Sequence, residues 1–320
     1  MKRHDNNPVS PVCLALADNS YRRKEFRTRT VLTDKSGRKV VCKFASSEEA
    51  VDFLKAIIVR EKANAEYLKE HFDVLCGEFK GDHIEYEYLP YPSLNEGIAS
   101  AFRENRCGEA DNLLEVYVRK LRALNISYAW PGEFLSMVSQ DGATNRHAEI
   151  ECLSRGVLDL TPRNILVDAS RCVVVDNEWS FDFPVPVAFV LFRAIREIVK
   201  GLQGEIRRCT TRARPAVGIV VRNLRTCYFP EGWIKYITDS QLSLAEMLRW
   251  EMGFQRYTTG VSGGTVGRVK TNPRIKTHFS MWRLGNEYGI TGTARRVLRK
   301  APLVPRLVRF VEDRRLHSQK

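Results

Sequence analysis

The chain has 320 residues, which is enough for one large domain or two of modest size. Hydrophobic residues make up 43% of it and charged residues 28%, as in ordinary globular proteins, and we find no low-complexity block or internal repeat. The net charge of +13 favours anionic partners such as phosphates, nucleic acid or an acidic membrane face, although scattered surface arginines that keep the chain soluble explain it equally well.

Cysteine usage and hydropathy indicate the compartment. The eight cysteines include no CxxC pair, which argues against a zinc site or a redox motif, and several lie in apolar runs where Cys behaves as a small hydrophobe. The N-terminus MKRHDNNPVS lacks the apolar core of a signal peptide, and runs such as VPVAFVLF (185–192) are far shorter than the ~20 residues of a membrane span. We therefore expect a reducing, cytoplasmic location.

The first 90 residues predict a small β-rich lobe. Two strands, KEFRTRTVLT (24–33) and RKVVCKFA (38–45), are joined by the hairpin turn DKSG. Residues 46–72 predict one long helix that Ser46 or Ser47 can cap. Short strands are expected at 73–79 and 82–89, and the Pro-rich joint PYPS (90–93) then marks a boundary with a larger helical lobe.

The rest of the chain is predicted to be mainly helical. Helices are expected at 111–125, 187–200, 216–226 and 241–252. Residues 256–275, rich in Gly, Thr and Arg, predict an exposed loop, and the segment 294–316 is helical in places but interrupted by two prolines. We expect lobes at 1–90 and 91–293 and a basic tail at 294–320.

Three polar side chains stand out in VLDLTPRNILVDASRCVVVDNEW (157–179). Asp159 and Asn164 precede the strand ILV, and CVVVD returns the chain to Asp176, so a hairpin would place Asn164 and Asp176 at neighbouring strand ends. Carboxylate and amide oxygens hold Mg²⁺ against nucleotide phosphates, and a further carboxylate can take the proton of an acceptor hydroxyl. The pattern therefore favours phosphoryl transfer.

D-L-T-P-R-N followed by V-V-D-x-E-W resembles the protein-kinase-like superfamily, and more closely its small-molecule branch, the aminoglycoside and choline phosphotransferases. The D-x-E-W form with FDFPVPVAFVLFRAIRE (181–197) is similar to kinase domains found with methyltransferases that cap bacterial O-antigen polysaccharides. The resemblance implies a bilobal, protein-kinase-like α+β fold, with a small antiparallel β lobe before a larger helical one. It also implies that Asp159 is catalytic and that Asn164 and Asp176 bind Mg²⁺.

Two departures from the family pattern exclude an ordinary protein kinase. Val157 and Leu158 stand where the small-molecule kinases have His-Gly before the catalytic Asp, and Asn177–Glu178 replace the Phe-Gly of D-F-G. No G-x-G-x-x-G precedes the expected phosphate-contacting lysine, so we expect a short turn within 16–24, with Ser20 and backbone amides, to cover the phosphates.

The N-terminal half offers the remaining parts of a nucleotide site. Lys43 in VVCKF is the strand-borne lysine that would contact the phosphates, and Glu61 on the following helix is its expected partner, with Glu66 as the second choice. The strand IEYEYL (84–89) falls where the adenine-binding hinge would be. The backbone groups of Glu85, Tyr86 and Glu87 are the expected contacts.

The sequence leaves more than one role open for the residues that could select the acceptor. Arg163 could face a phosphate or an anionic acceptor, or form a salt bridge within its loop, and Glu178 could pair with an arginine or approach a metal. Trp179 favours core packing over a sugar platform. Sugar stacking is an open alternative for the other candidate aromatic residues of the helical half, Trp233, Tyr236, Trp250 and Trp282.

The expected function is an ATP- and Mg²⁺-dependent kinase acting on a hydroxyl of a sugar or glycan, in cell-surface polysaccharide (lipopolysaccharide) biosynthesis. The missing His and glycines motivate one alternative, a pseudokinase that binds nucleotide or a partner without catalysis. A nucleic-acid-binding role would rest on charge alone, and we expect no specific nucleic-acid partner.

The tail 294–320 carries nine Lys/Arg and two Asp/Glu, interleaved with Leu, Val and Phe. This suits a helix lying on an anionic membrane, peripheral to its inner face, or a solvated helix that packs one side on the domain.

Overall fold

The structure is a computed structural model that describes residues 12–139, 149–168, 171–211, 215–221, 225–238 and 242–261. The basic tail, Trp282 and the predicted loop beyond residue 261 lie outside these ranges.

Strands in the described ranges form five sheets of two to five strands each. They are β1 (Val12–Asp18), β2 (Thr28–Lys35), β3 (Arg38–Ala45), β4 (Asp73–Val74), β5 (Glu78–Phe79), β6 (His83–Glu87), β7 (Ile126–Ala129), β8 (Ile150–Leu153), β9 (Gly156–Val157), β10 (Ile165–Asp168), β11 (Arg171–Val174), β12 (Ser180–Phe181), β13 (Val185–Pro186), β14 (Ala216–Val221) and β15 (Arg225–Pro230).

The helices of the described ranges follow the N-terminal strands and then dominate the second half. They are α1 (Val51–Leu68), α2 (Leu94–Arg103), α3 (Cys107–Arg122), α4 (Gly132–Val138), α5 (Val187–Gly201), α6 (Gln203–Cys209), α7 (Glu231–Ile234) and α8 (Leu244–Thr259). Short 3-10 turns precede β2, α1 and β10.

The N-terminal part is an antiparallel sheet with strand order β1-β2-β3-β6-β5, accompanied by α1. The β2–β3 hairpin turns at Ser36 (φ 56°) and Gly37 (φ 83°), and the Gly37 N–H donates to Asp34 Oδ1 at 2.7 Å. Two successive left-handed residues match the twist of the strands, which explains why a Gly stands in this turn. The first predicted strand begins four residues late, because Lys24–Phe26 form a 3-10 turn.

The predicted α+β fold class, with a small antiparallel sheet and a larger, mainly helical remainder, is confirmed. Helices predicted at 111–125, 187–200 and 241–252 correspond to α3, α5 and α8. The expected helix at 46–72 is α1, which begins only at Val51 and is followed by β4. Within the described residues, no helix has both the length and the apolar character needed to cross a bilayer.

The helix predicted at 216–226 is wrong, because residues 216–230 form the antiparallel hairpin β14–β15. AVGIVV contains four β-branched residues, which favour a strand over a helix. Its one Gly also disfavours a helix. The apolar spacing that suggests a helix is equally compatible with a short, continuous apolar strand.

The helical half is built on α5, a helix that is almost entirely buried. Ten of its 15 residues are buried, Arg193 among them. Helix α8 crosses α4 so closely that a Cβ at Gly253 would lie 1.7 Å from the Val138 carbonyl oxygen. A glycine is therefore required where these two helices meet.

A disulfide joins Cys107, at the start of α3, to Cys209, at the end of α6. We expected the cysteines to be small hydrophobes in a reducing environment, so this pair departs from that expectation. The two residues are 102 positions apart, and sequence spacing gave no indication that the fold brings them together.

Candidate functional site

The hairpin β10–β11 brings Asn164 and Asp176 together, as the sequence predicts. Ile165 pairs with Val174, and the Val175 N–H donates to the Asn164 carbonyl at 2.8 Å, so the two polar residues flank the open end of one hairpin. Asp176 has φ 53°, in the left-handed region that Asp tolerates better than most side chains. Such backbone conformations concentrate at functional sites.

Lys43, on β3, reaches this hairpin from the N-terminal sheet. Its Nζ lies 2.5 Å from Asp176 Oδ1 and 2.7 Å from Glu178 Oε1. The Lys43 side chain is 3% exposed, whereas that of Asp176 is 57% exposed. Burial alone would lower the pKa of Lys43, but the two carboxylates outweigh it and hold that pKa well above its usual range. Lys43 is therefore a permanent cation beside a solvent-accessible carboxylate.

Glu178 is the buried counter-ion of this cluster. Besides Lys43 it accepts hydrogen bonds from the Arg22 guanidinium and from Thr28 Oγ1, the latter at 3.2 Å. Burial would raise the pKa of Glu178, but Lys43 and Arg22 lower it below its usual value. The expectation that Glu178 pairs with a nearby arginine agrees with this contact.

Glu61 was expected to pair with Lys43, but its carboxylate has other partners. Its Oε1 accepts from the Tyr86 hydroxyl at 2.8 Å and its Oε2 from the Gly77 N–H at 3.0 Å, and burial raises the pKa of its carboxyl group. Among the described residues, the ion-pair partners of Lys43 are Asp176 and Glu178. Both of these carboxylates belong to the D-x-E segment that follows β11. Glu66, the second choice, is exposed and pairs with Lys69.

Asp159 lies under the same segment. Its Oδ2 accepts from the N–H groups of Glu178 at 3.1 Å and Trp179 at 2.9 Å, and the Asn164 side-chain amide donates to its carbonyl oxygen at 3.1 Å. Burial, opposed by Arg193, raises the pKa of Asp159 to about 7. A carboxyl group with this pKa can exchange a proton near neutral pH.

Arg193 supports Asp159 from α5 and was not found from the sequence. Its guanidinium lies 3.9 Å from Asp159 Oδ1, donates to the Leu158 carbonyl at 3.3 Å and pairs with Glu251 of α8 at 2.9 Å. Arg196 pairs with the other oxygen of Glu251. The signal was present, because an arginine in the centre of the apolar run FVLFRAI needs a buried counter-charge.

The segment between β1 and β2 lies over the Lys43 cluster. Arg22 belongs to this segment, and its guanidinium also stacks on the Trp179 ring at 5.3 Å. Ser20, the side chain predicted to approach the phosphates, is exposed. The segment predicted to cover the phosphates thus contacts the site through the Arg22 guanidinium, which binds Glu178, and not through Ser20.

The predicted hinge strand is β6. Its backbone pairs with β3 along its whole length, whereas β5 pairs only with Ile84 and Glu85. Among the described strands, none pairs with Tyr86 or Glu87 on the β5 side. The Tyr86 side chain is buried against Glu61, and that of Glu85 contacts Lys35. Among the described strands, the backbone of Tyr86 and Glu87 is therefore left without a strand partner on that side.

The aromatic residues considered as sugar platforms differ in burial. Trp179, Trp233 and Trp250 are all buried, which agrees with core packing for Trp179 and removes the other two as sugar platforms. Tyr236 is half-buried against the core, and Arg163 is exposed.

Comparisons with solved structures give likenesses to small-molecule kinases. The choline kinase LicA from Streptococcus pneumoniae in complex with AMP has 13% identity and a TM-score of 0.39, covering 81% of this chain and 88% of that one. A thermostable mutant of aminoglycoside phosphotransferase APH(4)-Ia has 12% identity and a TM-score of 0.37, covering 92% and 96%. An ethanolamine kinase from Plasmodium vivax has 10% identity and a TM-score of 0.31, covering 94% and 84%.

No protein-family model and no curated protein matches the chain.

Proposed function

We propose that this protein is an ATP- and Mg²⁺-dependent phosphotransferase that phosphorylates a hydroxyl group of a sugar or glycan. The observation that best supports this is the meeting of Lys43 with Asp176 at the hairpin that also carries Asn164, directly beside the partly exposed Asp159. A cation, two acidic groups and an amide at one cleft are the parts that phosphoryl transfer requires.

In this proposal the residues divide the work as follows. Lys43 exchanges its contact with Asp176 for phosphate oxygens of ATP, while the buried Glu178 keeps its ammonium in place. The acceptor oxygen bonds to the γ-phosphorus as the bond to the β-phosphate oxygen breaks, and the hydroxyl proton passes to Asp159. The pKa of about 7 for Asp159 suits that transfer at neutral pH.

Asn164 and Asp176 fit Mg²⁺. The Asn164 Nδ2 group donates to the Asp159 carbonyl, so the side-chain oxygen is the atom left to act as a ligand, and the Asp176 carboxylate is largely exposed. Amide and carboxylate oxygens are the ligands that this hard cation prefers. When bound, the ion would neutralise negative charge on the phosphates.

A cavity lined in part by residues that follow Trp179 in the chain supports a sugar-sized acceptor. It has a volume of about 560 Å³ and is lined by Gly132, Glu133, Ser136, Met137, Phe181, Phe183 and Tyr257. Phe181 and Phe183 stack with ring centroids 4.9 Å apart, and they follow Trp179, which donates to Asp159. Aromatic faces beside a carboxylate and a hydroxyl suit the alternating apolar and polar faces of a sugar ring.

Transfer from labelled ATP to a panel of hydroxylated sugars, choline and glycan fragments tests the proposal. We expect Mg²⁺-dependent transfer by the wild type, no transfer by Asp159→Asn, and ATP binding that the substitution leaves nearly intact. Asp168→Asn is the matched control, since Asp168 lies at the far end of the same hairpin beside Arg171.

Two outcomes would count against the proposal. Full activity of the Asp159→Asn variant would remove Asp159 from the mechanism. Binding of ATP by the wild type, without hydrolysis or transfer to any acceptor, would favour the pseudokinase alternative.

A further inference from the structure

We propose that the outer face of the N-terminal sheet carries a second metal site, for a thiolate-binding divalent cation of the zinc type, formed by Cys42, His83 and Glu85. One donor atom from each of these side chains lies within 4.8 Å of the others. The site is separate from the phosphoryl-transfer cluster, because Cys42 and Lys43 are consecutive on β3 and consecutive side chains of a strand point to opposite faces.

The sheet register explains why the three donors converge. Cys42 on β3 is directly opposite Glu85 on β6, and His83 is two residues from Glu85 on the same strand. Residues i and i+2 of a strand share a face, and a residue directly opposite on the neighbouring strand joins them. Three donors on one face therefore follow from backbone geometry that does not depend on a flexible loop.

The two ring nitrogens of His83 have different surroundings. His83 Nδ1 lies 2.7 Å from Asp82 Oδ1, a contact that favours the tautomer with its proton on Nδ1. His83 Nε2 then carries a lone pair. It is buried and has no hydrogen-bond partner, and it lies 3.9 Å from Glu85 Oε2. A buried acceptor without a donor is costly, and a metal ion would satisfy it.

The distances and charges suit a zinc-type ion. Tetrahedral Zn²⁺ sets sulfur, nitrogen and oxygen ligands about 3.5 Å apart, so donors that lie within 4.8 Å of one another need to close by about 1.3 Å at most. A zinc-type ion binds the thiolate form of cysteine, so binding at Cys42 would release the proton of its thiol. The thiolate, Glu85 and Asp82 would then balance the ion together with Lys35, whose ammonium contacts Glu85.

Such a metal would link the strand that carries Lys43 to the strand that carries the predicted hinge. We therefore expect it to raise the melting temperature of the protein as well as to bind. Lys35 competes for Glu85, so its removal should strengthen binding, by roughly two- to fivefold if the pair is an ordinary exposed one.

Titration of the chelator-treated full chain with Co²⁺ and Zn²⁺ tests the proposal. Co²⁺ bound through a thiolate gives a sulfur-to-metal charge-transfer band, which we expect at one equivalent in the wild type. The band should disappear in Cys42→Ser and in His83→Phe, a variant that keeps the ring stacked on Phe44. Cys76→Ser, with an exposed thiol on the same half of the chain, is the control and should keep it.

Lys35→Met should raise the affinity for Co²⁺, whereas the ligand substitutions abolish binding, because the variant frees Glu85 from its contact with the Lys35 ammonium. Thermal unfolding of each variant without metal shows whether it folds. Absence of the band in the wild type, its persistence in Cys42→Ser, or its loss in Cys76→Ser would each overturn the proposal. So would a melting temperature that Zn²⁺ does not raise in the wild type.

Discussion

At the scale of single residues, the site is governed by how its buried charges are matched. Lys43, Arg22 and Glu178 form one largely buried group, and Asp159, Arg193 and Glu251 form another. Removing one member of such a group leaves its partners charged and desolvated, which costs more than the pairing itself contributes.

Glu178→Gln tests whether Glu178, rather than Glu61, holds Lys43. We expect the substitution to lower the free energy of unfolding by roughly 3 kcal/mol and to weaken ATP binding, because Lys43 and Arg22 lose a buried counter-ion. Glu61→Gln should cost about 1 kcal/mol, since one of its two hydrogen bonds can be kept, and should affect ATP binding less. Urea unfolding and ATP titrations measure both quantities, and a larger effect of Glu61→Gln on ATP affinity would contradict the observed pairing.

Asp159 should make stability depend on pH. Its pKa rises from 3.8 to about 7 on folding, so between these values the folded protein holds a proton that the unfolded chain has released. The Asp159 contribution is thus fully favourable below pH 4 and is lost as pH rises to about 7, by at most about 1.4 kcal/mol per pH unit.

The comparison of wild type with Asp159→Asn isolates this contribution, because other titrating groups are common to both. We expect the variant to gain stability relative to the wild type between pH 4 and 7, with no further change above. Urea unfolding at several pH values measures it. A difference that is independent of pH, or that falls as pH rises, would show that Asp159 is not a buried acid of raised pKa.

At the scale of elements, the contact of α4 with α8 depends on one glycine. Gly253→Ala should lower the free energy of unfolding by about 3 kcal/mol or more, since the new Cβ meets the Val138 backbone, which has no rotamer with which to yield. Gly97→Ala, inside α2, meets only Leu113 Cδ1 at 3.7 Å and should stabilise the protein by up to about 1 kcal/mol. Equal effects of the two substitutions in thermal or urea unfolding would refute the close crossing.

Elements were predictable where their pattern was local. The hairpin that presents Asn164 and Asp176 follows from two apolar runs around a polar turn, and α5 follows from its length and apolar spacing. The strand β14 was misread because six apolar residues carry no decisive period. The partners of Lys43 and of Arg193 could not be predicted. Those of Lys43 are more than 100 residues away in the chain, and those of Arg193 depend on how helices pack, which is not a local property of the sequence.

At the scale of the whole molecule, the net charge of +13 is concentrated toward the C-terminus. If the segment 294–320 lies on an anionic membrane, its deletion should weaken co-sedimentation with vesicles containing phosphatidylserine and leave the unfolding of the remaining chain little changed. Neutral phosphatidylcholine vesicles are the control. Equal co-sedimentation of the full and truncated chains would dispose of a membrane role for this segment.

The parallel pairing of β4 with β11 limits the relative movement of the two parts of the chain that form the site. Asp73 and Val74 are joined to Val173 and Val174, and the Leu75 N–H donates to Val174. The segment that follows α1 is therefore held by backbone hydrogen bonds to the hairpin that bears Asp176. Because this backbone pairing ties Asp73 to the hairpin, residues near Asp73 should move least relative to Asp176 when a nucleotide enters or leaves the site.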